Sequence, residues 1–360
     1  MKDLLERALT PAELTHADLV SLLDLTDADQ LRSLYRAAYD VKVREVGKVV
    51  FFRGIIEFSN LCAKNCDYCG IRRDNREVER FWMSEDEILV GARWAHESGY
   101  GSLVLQGGER RDEEFVDFIT SVLQRIHTET DGELGVTLSL GEQDRDVYRR
   151  WHEAGAHRYL LRIETTNPEL YASIHPRDHD WDERLRCLAR LRDEGYMVGT
   201  GVMIGLPGQT TADLARDLLF FREHDVDMIG MGPFIPHDET PLAHLAEGFD
   251  KEAALNLGLK MISCARLLLQ DVNIAATTAL QALEPTGREL GLQAGANIVM
   301  PNITDTRYRK AYQLYRGKPC LDENSGMCRS CLQKRIEGLG EEIGFGKLGD
   351  SPHYRKRRQR

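Results

Sequence analysis

Six of the eight cysteines fall into two groups whose spacing suits metal chemistry, Cys62-x3-Cys66-x2-Cys69 and Cys320-x7-Cys328-x2-Cys331. The first fifteen residues mix both charge signs and show no apolar core of an export signal. Clustered thiols in such a chain are expected to bind metal rather than pair as disulfides. Three thiolates in the eight residues from Cys62 to Cys69 can take three corners of a cubane, and no neighbouring cysteine supplies the fourth. A 4Fe–4S cluster normally takes four cysteines, so one iron is left open to an exogenous ligand. The competing reading is a zinc knuckle with a remote fourth ligand, but such knuckles favour short hooks on ribbons. The second group lies beside Asp322 and Glu323 and is expected to be a separate site, with zinc or adventitious metal as its alternative. Cys187 and Cys264 sit alone in helical patterns and read as buried small hydrophobes.

The elements that must carry these groups alternate. Residues 1–46 are helical by pattern, with start signals at Thr10–Pro11 and at Thr26–Asp29. Strands are then expected at 49–58, 102–106, 134–139, 158–162, 197–204, 227–231, 273–276 and 296–300. Helices at 84–98, 112–127, 144–153, 182–194, 211–223 and 251–269, with a short one before Gly291, separate them. Short, apolar, parallel-type strands in eight such units predict an α/β fold, a (β/α)8 TIM barrel, with a doubly wound sheet as runner-up. The expected organisation is an N-terminal helical extension (1–46), the barrel (47–304) and a C-terminal extension with the second cysteine triad (305–360).

Active sites of such barrels lie at the C-terminal ends of the strands. The polar residues ending these strands are Ser59–Asn60, Gln106–Glu109, Ser139–Glu142, Arg162–Glu164, Gly205, Thr277–Thr278 and Pro301–Asn302. Their convergence on one mouth is the layout of a catalytic site. Two glycine motifs carry no phosphate-binding signature. Gly201 to Gly208 is not followed by Lys-Ser/Thr, and Gly230-Met-Gly232 is too short for a dinucleotide fingerprint.

Composition narrows the classes further. With 360 residues, 42% hydrophobic and 29% charged, the chain is an ordinary globular one and not a disordered or fibrous one. Its net charge of 47 − 58 = −11 argues against a nucleic-acid partner. No apolar run approaches the ~20 residues that cross a bilayer, so no membrane role and a cytoplasmic location are expected. The basic tail from Tyr354 to Arg360 is expected to be a solvated, frayed terminus, with RNA or partner docking as the lesser alternative.

The first cysteine loop, with Tyr68 just before Cys69, resembles the signature of the radical S-adenosylmethionine (SAM) superfamily. The resemblance implies that SAM chelates the open iron and is cleaved reductively to a 5′-deoxyadenosyl radical. It makes Gly107-Gly-Glu109 the element that binds the SAM amino group. Glycines there let backbone approach ligand, and the carboxylate takes the ammonium. It places Ile204 against the adenine and Arg162, Arg184 and Glu164 on the SAM carboxylate and ribose. Tyr68, Gln106, Gly107, Gly108 and Ser139 complete the implied cofactor contacts. The competing reading of Arg162 and Glu164, one residue apart on one face of strand four, is a structural ion pair.

Longer segments are similar to the HydE family of FeFe-hydrogenase maturases. They include Phe58 to Asn75, Thr137 to Glu142, Arg158 to Arg162, Gly230 to His237, Ala275 to Ala279 and Ala296 to Asn302, and the similarity runs from about residue 10 to 348. That resemblance implies work on an iron–cysteine-type precursor of the hydrogenase di-iron subcluster, with other hydrogenase maturases as partners. It also implies an accessory 2Fe–2S or 4Fe–4S cluster on Cys320, Cys328 and Cys331. Candidate substrate residues are Thr137, Arg162, Met228, Thr277, Thr278, Met300, Tyr312 and Tyr315, the methionines being core fillers in the alternative reading. Methylornithine synthase is the rival enzyme, and an iron–sulfur scaffold or carrier is the non-catalytic alternative. Biotin synthase fits less well, because it would need cysteines on strands two, three and four, which carry none.

Overall fold

The computed structural model describes Arg7 and residues 14–359. The start signal at Thr10–Pro11 lies outside the described residues. Among the described residues, helices His16–Leu23 and Ala28–Glu45 precede the first strand, each opened by a side-chain cap from Thr15 or Asp27. The strands are β1 (Val49–Ser59), β2 (Ser102–Gly107), β3 (Gly135–Ser139), β4 (Ala156–Leu160), β5 (Met197–Thr200), β6 (Met203–Ile204), β7 (Met228–Ile229), β8 (Gly232–Pro233), β9 (Asn273–Ile274), β10 (Ile298–Val299) and β11 (Glu342–Ile343). Helices Glu85–Glu97, Glu113–Glu129, Arg145–Glu153, Trp181–Asp193, Thr211–Glu223 and Lys251–Leu269 separate them on the outside.

The main sheet runs β10-β1-β2-β3-β4-β5-β7-β9, with parallel pairing along its length. Its two ends meet. A parallel bridge joins Ala275 to Ile298, and Ala276 N–H donates to Ile298 O at 2.9 Å while Asn297 N–H donates to Ile274 O at 2.9 Å. The expected eight-stranded (β/α)8 barrel is therefore present. Two of the expected strands are interrupted, resuming beyond β5 and β7 as the short pair β6–β8. The fourth strand is shifted: it ends at Leu160, so Arg162 and Glu164 lie on the loop beyond it rather than on one strand face. Glu164 takes a left-handed backbone, φ +65°.

One apolar core runs from Leu14 and the N-terminal helices through the strands to Ile336 on helix Ser325–Gly338. Cys187 and Cys264 are both buried in it, as expected.

The basic tail corrects the expectation of a frayed end. β11 pairs with the start of β1 (Val49 with Glu342, Val50 with Ile343), and the chain then crosses the N-terminal face of the barrel. Asn273 Nδ2 donates to Gly349 O at 2.8 Å, and buried Arg158 donates to Leu348 O and Asp350. Burial alone would raise the Asp350 carboxyl, but His157 and Arg158 hold it well below the usual carboxylate range. Helix Pro352–Arg357 packs Tyr354 against Met197 and Met228, while Arg357 pairs with Asp227. Arg357 and Lys356 of the tail find the buried carboxylates of Asp227 and Asp271 beneath the barrel, which composition does not reveal.

The barrel seam turns on Asn297, which is fully buried. Its Oδ1 accepts from Ile274 N–H at 2.9 Å and Arg266 Nη2 at 3.0 Å, and its Nδ2 donates to Asn273 Oδ1 at 2.8 Å. Asn297→Ala orphans a buried guanidinium N–H and a strand N–H, a loss of roughly 2–4 kcal/mol. The expected result is a lowered urea midpoint for the metal-free chain with an unchanged slope; an unchanged midpoint would show that the seam does not depend on this side chain.

Candidate active site

Loops at the C-terminal ends of β1 to β4 build the centre of the mouth. The cluster loop leaves β1 at Ser59 and is stitched to the end of β2. Gly108 N–H donates to Ser59 O at 3.0 Å and Ala63 N–H to Glu109 O at 2.8 Å. A Cβ on Gly108 would stand 2.2 Å from Leu61 O, so this contact requires glycine. Cys62 Sγ accepts from the Glu109 N–H at 3.3 Å and the Lys64 N–H at 3.4 Å, which turns it toward the mouth.

Burial pushes all three thiols of the loop up, Cys69 to about 12, with neighbouring thiolates adding to it at Cys66 and Cys69 and the Glu109 carboxylate at Cys62. Metal-free, they are neutral thiols at pH 7, and loading must release protons. Their sulfurs do not meet the mutual spacing of 4.8 Å that a second group among the described residues does meet. A single ion draws its ligand atoms that close, whereas a four-iron cubane does not need it.

Around the loop stand charged groups that water barely reaches. Glu109 is 7% exposed and is raised by burial and by the neighbouring Glu142 carboxylate. Gly141, φ +75°, lets Glu109 pass, since a Cβ there would meet its Oε2 at 2.1 Å. Glu142 is raised by burial but drawn down on balance to about 2 by Arg184 and Lys64. Arg184 Nε donates to Glu142 Oε1 at 2.7 Å, and its Nη1 donates to Arg162 O. Arg162 Nη2 lies 2.9 Å from Glu164 Oε2.

Beyond that ion pair, Arg162 Nε, Thr137 Oγ1 and Thr277 Oγ1 have no hydrogen-bond partner within the protein, and Glu109 Oε1 has only the longer approaches of Lys64 Nζ at 3.5 Å and Arg111 Nε at 3.7 Å. Buried polar atoms left open are costly unless something fills them. Open carboxylate oxygens and guanidinium N–H groups beside three thiols suit a ligand with an ammonium, a carboxylate and hydroxyls. That chemistry fits SAM, and the open cysteine set fits the cluster.

The other expected residues divide by depth. Gln106 and Ser139 pair across β2 and β3, and Gln106 Nε2 donates to the Tyr312 hydroxyl at 3.2 Å. Tyr312 is fixed by a buried network in which Lys318 donates to Glu57 and to Tyr312 O. Tyr68 makes a hydrogen bond with His175 Nε2 at 3.1 Å. Thr137, Met228 and Met300 line the barrel interior with Arg53 and Asn273, and Arg53 Nη1 stands 2.9 Å from Met228 Sδ. Ile204 lies in the main core, 2% exposed. Thr278 Oγ1 accepts from Arg288 Nη2 at 2.9 Å, and Tyr315 lies in the field of Arg288 and Arg162.

The second cysteine group is gathered differently from the expected triad. Ligand atoms of Cys320, Glu323 and Cys328 all lie within 4.8 Å of one another, while Cys331, a turn further along the helix, is exposed. Hydrogen bonding from Cys320 draws the Cys328 thiol down to about 7 and pushes Cys320 up.

Four residues at the site escape sequence reasoning. Arg288 has two buried N–H atoms without partners, and Arg80 grips the cluster loop. His179 Nε2 is 3.5 Å from Cys66 Sγ, and His175 stacks between His179 and Tyr171. Only the histidine pair left a signal, the His175-x3-His179 spacing beside a metal motif.

Comparison with known proteins bears on the family and the fold. The sequence model of the Radical SAM superfamily matches residues 56–221. The FeFe-hydrogenase maturase subunit HydE of Thermotoga maritima is 46% identical over 344 residues, 95% of each chain. The crystal structure of methylornithine synthase superposes with a TM-score of 0.82 at 27% identity, over 95% of this chain and 98% of that one. The FeFe-hydrogenase maturase HydG from Carboxydothermus hydrogenoformans shares the fold, with a TM-score of 0.81 at 20% identity, over 99% of this chain and 81% of that one.

The exposures predict the order of alkylation in the metal-free chain. Under native conditions iodoacetamide should label Cys331 first and leave Cys187 and Cys264 unlabelled until the chain unfolds, as read by peptide mass spectrometry. Labelling of Cys264 ahead of Cys331 would contradict the packing of helix Lys251–Leu269.

Proposed function

We propose a function for a chain that belongs to the HydE family of radical SAM proteins: maturation of FeFe-hydrogenase, by directing a 5′-deoxyadenosyl radical at an iron–cysteine-type precursor of the di-iron subcluster. The observation that carries the proposal is the near-full-length match to a HydE at 46% identity. The chain is a radical SAM enzyme, and its family implies a 4Fe–4S cluster and SAM. When bound, the reduced cluster supplies the electron that cleaves the S–C5′ bond of SAM.

The protein's part is to bind, orient and exclude side reactions. Cys62, Cys66 and Cys69 would hold three irons. Glu109 would take the SAM ammonium, with Gly107 and Gly108 giving the ligand room. Arg162 and Arg184 would face its carboxylate, Glu164 its ribose and Ile204 its adenine, with Tyr68, Gln106 and Ser139 around them. Thr137, Met228, Met300, Thr277, Thr278, Tyr312 and Tyr315 would line the substrate chamber, where hydroxyls and polarizable sulfur suit a ligand-rich metal complex. Cys320, Cys328 and Cys331 would hold an accessory 2Fe–2S or 4Fe–4S cluster. Partners on this reading are a small or organometallic substrate and the other maturases, in the cytoplasm. The functional organisation is a barrel, 47–304, between a helical extension and the cysteine-bearing C-terminal extension.

The rival, methylornithine synthesis, has the fold likeness in its favour. A lysine mutase must hold an amino acid by two charged ends, with a carboxylate for each ammonium. Apart from those assigned to SAM, the carboxylate at these strand ends is Glu142, and Arg184 and Lys64 already engage it. A carrier without catalysis would have no use for a SAM pocket.

Reconstituted protein should form 5′-deoxyadenosine from SAM under dithionite, and Cys66→Ser should abolish it; persistent product would refute the cluster assignment. Glu109→Gln removes a charge-assisted bond and should weaken SAM binding to the loaded protein about 10- to 100-fold in equilibrium dialysis. For the pathway, a host lacking its own HydE should regain hydrogenase activity when given this chain. Conversion of lysine to methylornithine without rescue would transfer the assignment to the rival.

A further inference from the structure

From Asn60 to Arg80 the chain forms neither helix nor strand, yet this stretch carries all three cluster cysteines. Its backbone carbonyls need donors from elsewhere. One side chain serves five of these carbonyls. Arg80 Nη1 donates to Asn60 O and, at 2.9 Å, to Ile71 O. Its Nη2 donates to Arg72 O, to Asn75 O at 2.9 Å and to Arg73 O at 3.3 Å. These carbonyls lie two residues before Cys62 and two to six after Cys69, so a single guanidinium draws both ends of the loop together.

Arg80 is itself anchored. Fully buried Asn60 donates through Nδ2 to Glu79 O and to Ala311 O, both at 2.7 Å, and accepts from Phe81 N–H at 2.9 Å. Ser59 Oγ donates to Phe81 O at 3.1 Å, and Met83 N–H donates to Phe58 O at 2.8 Å. Residues 79–83 are thereby pinned beside the end of β1, and the guanidinium reaches the loop from a fixed base. Its positive charge is held, through the Asn60 and Ile71 carbonyls, two residues along the chain from both Cys62 and Cys69.

We propose that Arg80 is a positioning residue for the cluster: its fork holds the two ends of the cysteine loop in register for cluster assembly, and its fixed positive charge stabilises the reduced cluster. The proposal rests on the reading that Cys62, Cys66 and Cys69 hold a 4Fe–4S cluster. Lysine offers three donors on a point charge and cannot reproduce a planar fork across five carbonyls. Charge and geometry are therefore separable.

Two variants test it, Arg80→Met and Arg80→Lys, in the full chain with Cys320, Cys328 and Cys331 changed to Ala so that one cluster is counted. The readouts are iron and sulfide retained after reconstitution at limiting iron, and the cluster midpoint potential from a redox titration followed by electron paramagnetic resonance. Arg80→Met should retain cluster about 10- to 100-fold less tightly, the usual effect of losing an outer-shell partner, and should shift the potential negative. Arg80→Lys should load as poorly but titrate near the parent potential. A lysine variant that loads like the parent overturns the proposal, as does a methionine variant with unchanged loading and potential. If Arg80→Met fails to fold by circular dichroism, loading of Arg80→Lys decides alone. A parent that takes up no cluster sinks the cluster assignment, and this inference with it; a loaded parent beside equally loaded variants sinks this inference only.

Discussion

The ring of strands closes where it is thinnest, and the rest of the molecule depends on that closure. β9 and β10 are two residues each, far too short to hold a seam by ladder bonds alone. Buried Asn297 reinforces the short ladder, joining Asn273, Ile274 and Arg266 through one amide. Arg266, fully buried, spends its remaining N–H groups on the carbonyls of Gly295, Gln270 and Val272. An open sheet of the same strands would scatter their C-terminal ends along an edge. Closed, it aims all of them at one mouth and leaves a single opposite face to be covered.

Covering that face falls to the C-terminal segment. β11 extends the pairing of β1 beyond the reach of β10, and the tail helix sets Tyr354 beneath Met197 and Met228. Floor and chamber thus share side chains. Met228 touches the tail on one side, and on the other lines the interior with Thr137 and Met300. Arg158, Asp350, Arg357 and Asp227 form the polar rim of the plug, each charge meeting an opposite one, as burial demands.

The mouth follows a different rule. Its carboxylates and guanidiniums pair only in part. Glu142 is saturated by Arg184, Lys64 and Arg111 and acts as a fixed anion that organises the others. Glu109 Oε1 and Arg162 Nε have no hydrogen bond, and Arg162 otherwise pairs with Glu164. Polar groups held in place before a ligand arrives lose less freedom on binding than mobile ones. The cluster loop needs the same preorganisation without regular structure, and obtains it from side-chain bonds to its carbonyls.

Much of this was legible in the residues themselves. The cysteine spacing, the eight alternating units and the Gly107-Gly-Glu109 turn are local patterns, and local geometry is what neighbours in sequence fix. Residue type and spacing therefore determined the barrel, the three-thiol loop and the strand-end polar set that faces the mouth. The tertiary structure alone decided which buried charges find partners. It turned the expected frayed tail into a floor, moved Arg162 and Glu164 off the strand, left Cys331 outside the group that Cys320, Glu323 and Cys328 form, and brought Arg80 and Arg288 to the site. Each of these outcomes depends on a donor meeting an acceptor many residues away, as when Arg158 meets Asp350 or Lys318 meets Glu57. No local pattern encodes such meetings, because they exist only once the ring has closed.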